Sequence, residues 1–145
     1  MKYFALLFLL AACFDRGDSP EGALRDFTNA RLEKVVDRDF VVSRTTGKMR
    51  VSVESMSDDE FKTFSDLRNY KKDTFKIISK SCQDKRCYVT YSLGYREGKS
   101  AEGPSWLSEV KKIAEIVWVE GKWLIADVSN IKTYHETSES IEVTP

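Results

Sequence analysis

The spacing of apolar positions changes twice along this 145-residue chain. A continuous apolar run, Tyr3 to Leu10, comes first and is too short to span a bilayer. A polar stretch, Phe14 to Ser19, separates it from a segment of helical period. There Ser19 offers an N-cap, Pro20 a first helical residue with preset φ, and Glu21 an acid for the positive end of the dipole. Ala23, Leu24, Phe27, Ala30 and Arg31 keep helical spacing to about Lys34. Asp37 is a fresh cap for a helix over residues 38–45, ended by Gly47. The next piece fits two periods: Met49, Val51 and Val53 alternate like a strand, whereas Met49, Val53 and Met56 fall on one helical face, and the helix is preferred. Ser57-Asp58-Asp59-Glu60 forms a capping box, with Phe61, Phe64 and Arg68 following on one face until about Asn69.

From Asp73 the period falls to two. Residues 74–81 and 87–95 are rich in aromatic and β-branched side chains and predict a hairpin, its loop the polar Gln83-Asp84-Lys85-Arg86. A loop over 96–105 leads to a second hairpin, 110–119 and 122–134, around Glu120-Gly121, where glycine supplies positive φ. Helices first and antiparallel strands second predict an α+β fold, with N-terminal helices packed on a curved antiparallel sheet of about four strands. A single helix on a sheet is the alternative topology. The expected domain covers residues 20–135, with a disordered acidic tail over 136–145.

That order of elements, the Gly121-Lys122-Trp123-Leu124-Ile125-Ala126-Asp127 run and the Ser19-Pro20-Glu21 helix start resemble small bacterial lipoproteins with a nuclear-transport-factor-two-like (cystatin-like cone) domain. The resemblance spans roughly Ser19 to His135 and implies a cone-like sheet curled around a cavity. A second resemblance lies at the amino terminus. Met1 and Lys2, the apolar run, and Leu10-Ala11-Ala12-Cys13 resemble the lipobox of a lipoprotein signal peptide. It implies cleavage of residues 1–12, a diacylglycerol on the Cys13 thiol and an acyl chain, such as palmitate, on the new amino terminus. Residues 13–19 then form a short linker, and the six from Phe14 to Ser19 reach at most about 20 Å, so the domain would sit close over its membrane. Phe14, with Asp only at Asp15, favours the outer membrane facing the periplasm over retention at the inner one.

Charge is balanced, with 23 basic and 23 acidic residues, and gives no electrostatic case for nucleic acid. With Cys13 assigned to lipid, Cys82 and Cys87 remain as an even pair in an oxidising compartment, facing each other across the hairpin, and are expected to form a disulfide. A redox pair would usually have C-x-x-C spacing, and a metal site lacks ligands, His135 being the only histidine. No metal or cofactor is expected.

Asp127 is the one candidate for catalysis, because it interrupts the aliphatic run Leu124-Ile125-Ala126 and Val128 where a raised pKa would suit a general acid or base. Its structural reading is a backbone hydrogen bond or an ion pair with Lys112. His135 lies eight residues on, about 26 Å along a strand, too far for a dyad. Strict alternation puts Trp123, Ile125, Asp127, Ser129, Ile131, Thr133 and His135 on one mixed face of the last strand. Tyr88, Tyr91, Tyr95, Trp106 and Trp118 are many aromatics for one sheet, and Tyr91, Trp106, Trp118, Trp123 and Asp127 are candidates to line a ligand pocket, against the plainer reading of core and cross-strand pairs. Lysine pairs such as Lys111-Lys112 read as solvated faces. No nucleophile elbow, zinc-helix, phosphate-loop or dinucleotide motif occurs. The function expected is therefore a lipid-anchored envelope module that binds a protein partner or small ligand without catalysis. An isomerase or dehydratase of an apolar substrate, with Asp127 as general base, is the alternative.

Overall fold

The computed structural model of the protein describes residues 19–67, 69–97 and 106–137. Residues 1–18, which hold Cys13 and all of the expected linker except Ser19, lie outside the described residues, as do Arg68, the 98–105 part of the expected loop, and residues 138–145 of the expected tail. The first helix, α1 (Pro20–Glu33), starts where its cap demands: the Ser19 hydroxyl accepts from Gly22 N at 3.0 Å. Asp37 caps α2 (Arg38–Val42) through Phe40 N at 2.7 Å. Gly47, expected to end that helix, instead opens α3 (Gly47–Ser55) with φ at +52°. The reciprocal capping box of Ser57 and Glu60 starts α4 (Asp58–Ser65).

Four strands follow: β1 (Tyr70–Gln83), β2 (Arg86–Glu97), β3 (Trp106–Val119) and β4 (Lys122–Thr137). They pair antiparallel in the order β1-β2-β3-β4. The β1–β2 ladder continues to Gln83–Arg86, which leaves only Asp84 and Lys85 in the turn, Asp84 with φ +54°. Glu120 and Gly121, at φ +49° and +82°, make the tight β3–β4 turn. β4 runs to Thr137, two residues into the stretch expected as tail.

The expected class, N-terminal helices on a curved, cone-like sheet, needs correction. The sheet is open, with β1 at one edge and β4 at the other, and strands outweigh helices among the described residues. After α1 the helices have only 5, 9 and 8 residues. Their composition explains this. Val41, Val42, Thr45, Thr46, Val51 and Val53 lose side-chain freedom in a helix, and Asp37, Thr46 and Ser57 restart the chain before any run grows long. Tertiary bonds hold these pieces together. The Arg38 guanidinium donates to Val53 O at 2.6 Å and Met56 O at 3.0 Å, satisfying carbonyls at the end of α3. The Arg44–Thr46 segment lies along β4, with Thr46 N donating to Ile125 O at 2.9 Å and Ile125 N to Arg44 O at 3.0 Å.

One face of the sheet carries the core. Its rows follow the register: Cys87 opposite Ile116, Val89 opposite Ala114, Tyr91 opposite Lys112, Leu93 opposite Val110. Leu24, Phe27, Val36, Val41, Val53 and Phe61 from the helical part pack with them. Two ties fix α1 along β1, Lys80 to Glu21 at 2.5 Å and Lys72 to Asn29 at 2.8 Å, and the Arg25 guanidinium lies 4.7 Å over the Phe75 ring between them. The Sγ atoms of Cys82 and Cys87 are at bonding distance, 2.08 Å, at the turn end of the first hairpin. Closing so small a ring is worth about 2 kcal/mol in the chain-entropy model.

Candidate functional site

Along β2 and β3 the inner face changes character. Toward the hairpin turns it is filled: Val89, Ala114 and Ile116 have no exposed surface and Cys87 and Ile125 only 1%. Toward the other end, between the C-terminal half of α1 and the sheet, lies a cavity of about 440 Å³. Helix α1 contributes Phe27, Thr28 and Arg31; Met49, Phe64 and Leu67 close a second side. The sheet supplies Tyr91, Leu93 and Tyr95 from β2 and Val110 and Lys112 from β3, with Tyr70 at the margin. Val128, Asn130 and Thr133 complete it from β4.

The β4 contribution depends on two irregularities of register. Ala126 is an extra residue between the pairs Ile116–Ile125 and Glu115–Asp127, and Ile131 is another between Lys112–Asn130 and Lys111–Lys132. Each bulge resets the alternation. Trp123 and Ile125, then Val128 and Asn130, then Thr133 thus take the inner register positions in turn. Strict period-two counting had placed Asp127 with Ile125 and Thr133. The bulge puts it opposite Glu115 on the other face.

Asp127 lies outside the cavity lining. Its Oδ1 accepts from Val128 N at 2.9 Å, and its Oδ2 is 3.9 Å from Lys48 Nζ, not paired with Lys112. Tyr91 is the sequence candidate that does line the cavity, 4% exposed and stacked on Phe75 at 5.3 Å between ring centroids. Burial pushes its hydroxyl pKa up to about 12, against a downward pull from Arg31. Trp118 and Trp123 pack edge to face at 5.2 Å beside the second turn, as a cross-strand pair away from the cavity. Trp106 opens β3 opposite Thr137, and His135 stands opposite Ser108 in the ladder. Cys82 and Cys87 are at the far end of the sheet from the cavity.

Sequence reasoning missed the two residues that give the cavity its charge. Arg31 lies on the apolar face of α1, four residues after Phe27 and seven after Leu24. Its Nη2 donates to Phe64 O at 2.6 Å, and its guanidinium sits 4.0 Å over the Phe64 ring and 5.5 Å over that of Phe27. Its Nε is buried without a hydrogen-bond partner. Burial pushes its pKa down to about 10, partly offset by Tyr91. Lys112 is half-buried in the apolar row Val110, Ala114, Ile116; burial first, and the Arg31 charge second, hold its pKa below the ordinary 10.5. A lysine at the right parity inside an apolar β row was the signal, and pairing it with Lys111 as a surface doublet hid it.

No protein-family model matches the chain, and no curated protein does. Among solved structures it is similar to a SEC-C motif containing protein from Rhodopseudomonas palustris, known from a solution structure. The two share 18% identity at a TM-score of 0.59, over 79% of this chain and 80% of that one. At that identity the likeness concerns the fold alone. No described helix is long and apolar enough to cross a membrane.

What the site can do follows from its lining. It is a concave, largely aromatic and aliphatic space with a few polar groups from different strands, the usual composition of a small-molecule site. Among the described residues that line it are two cations and no carboxylate.

Proposed function

We propose that this protein is a non-catalytic binding module for a small ligand, held on the cell envelope by lipid on Cys13. The observation that carries the binding role is the cavity of about 440 Å³ under α1, which opens where the buried Val89, Ala114 and Ile116 stop filling the inner face of the sheet. The anchor rests on the lipobox resemblance of Leu10 to Cys13. The Cys82–Cys87 pair suits the oxidising periplasm, and Phe14 after the lipidated residue suits the outer membrane. Since α1 begins at Pro20, the cavity would be carried within a few tens of Å of the membrane surface. The catalytic alternative draws no support from the position of Asp127, on the opposite face and engaged with Val128 N and Lys48.

Complementation of a deletion strain tests both halves. A Cys13→Ser chain is expected in the soluble fraction and should fail to complement. Leu93→Trp, which fills the cavity, should be folded by circular dichroism yet inactive, while Asp127→Asn should complement fully. Loss of complementation in a normally folded Asp127→Asn variant, with Leu93→Trp active, would contradict the binding reading.

A further inference from the structure

The cavity's charge is unbalanced in a way that its apolar lining does not require. Arg31 reaches it from α1 and Lys112 from β3, and among the described residues that line the space no acid answers them. Arg31 is only partly satisfied. One amino group is spent on Phe64 O, two rings lie under the guanidinium, and Nε is buried with no acceptor. Neutral donors stand nearby, the Tyr91 hydroxyl opposite Lys112 on β2 and the Asn130 amide opposite it on β4. A buried donor left without an acceptor is costly, and two like charges in one space raise that cost. An incoming anion relieves both. The apolar remainder, Phe27, Leu93 and Val128 among them, suits a hydrocarbon or aromatic body.

Resting on the cavity's being the ligand site, we infer that the ligand is an amphiphile with a single anionic head group, a carboxylate or a phosphate monoester. The head lies between Arg31 and Lys112, and the body runs over the β2 and β4 side chains. A guanidinium with a free N–H and an ammonium from a facing element form a two-sided clamp that recognises either oxyanion. A cationic molecule of the same shape is disfavoured by the same two charges.

The test is calorimetric titration of the full chain with soluble probes that share one body: 4-phenylbutyrate, its neutral amide 4-phenylbutanamide, the cation 4-phenylbutylamine, and 4-phenylbutyl phosphate. The butyrate should bind about tenfold or more tighter than the amide, and the amine should be weakest, as charge-assisted hydrogen bonds require. Lys112→Met should remove most of the preference for butyrate over amide while leaving amide binding in place. Arg31→Gln serves the same purpose from the other side. Tighter binding of the phosphate ester than of the butyrate assigns the head to a phosphate, and the reverse order to a carboxylate; either supports the inference. Equal binding of butyrate and amide, in a chain that binds both, overturns the inference and leaves the cavity as a ligand site. Failure of all four probes to bind overturns both.

Discussion

Lys112 shows how one position decides the chemistry of this molecule. In the sequence it is half of a lysine pair among acids, which normally marks a solvated face. In the fold it sits opposite Tyr91 and Asn130, facing the same cavity as Arg31. Burial and the Arg31 charge hold its pKa below 10.5, and burial brings Arg31 to about 10. The sign of the pH dependence follows. Both groups are charged at neutral pH and lose their protons as pH rises into the alkaline range, so anion affinity must fall there. Tyr91, ionising near 12, adds repulsion only above that range, and Tyr70 and Tyr95 are the other titratable groups at the lining. Calorimetry of 4-phenylbutyrate between pH 7 and 10 should therefore show weakening below the ordinary lysine pKa, with the neutral amide unchanged. The Lys112→Met chain should have a flatter profile.

At the scale of elements, three helix starts and the end of α1 at Lys34 were legible, but α2 and α4 stop at Val42 and Ser65, short of the expected 45 and 69. Ser19, Asp37 and Ser57 mark helix starts because a side-chain oxygen satisfies an amide that the helix leaves free, a local event readable from three or four residues. Gly47 was misread as a stop since a glycine at positive φ serves equally to enter a helix after a turn. The bulges at Ala126 and Ile131 were invisible for a different reason. They are set by pairing with β3 and by the Arg44–Thr46 segment on Ile125, and alternation within β4 alone carries no trace of them. So Asp127 was assigned to the wrong face. A similar irregularity between Lys72 and Thr74 on β1 brings Thr74 opposite Gly94, where a Cβ would come within 2.5 Å of Thr74 Oγ1. Gly94→Ala should cost about 1–3 kcal/mol, as overpacking does, and Thr74→Ala should restore most of it. Urea unfolding of the two single variants and the double variant measures that coupling.

Over the whole molecule, one sheet is used in two ways. Toward the hairpin turns its inner face is sealed by Val89, Ala114, Ile116 and Ile125 and clamped by the Cys82–Cys87 link. Toward the far end the same rows continue as Tyr91, Leu93, Lys112 and Asn130, and the space above them is left open under α1. The two hairpins were legible from their turn chemistry, whereas the β2–β3 pairing that joins them into one sheet was not. The open sheet in place of a cone was not, because closure depends on how far the edges lie from each other and on helices too short to span them. Of the candidate site, Tyr91 and Tyr95 were legible. The aromatic excess that suggested a pocket is divided between the cavity and a cross-strand pair, Trp118 and Trp123, that closes the second hairpin. The central claim is that the open end of the sheet takes a ligand, and amide chemical-shift mapping by NMR on adding 4-phenylbutyrate tests it most directly. Shifts are expected at 91–95, 110–112, 128–133, the second half of α1 and the lining residues Met49, Phe64, Leu67 and Tyr70, with Asp84, Lys85 and Trp118 silent. Shifts gathered at the Cys82–Cys87 turn or around Asp127, with the cavity residues unmoved, would contradict it.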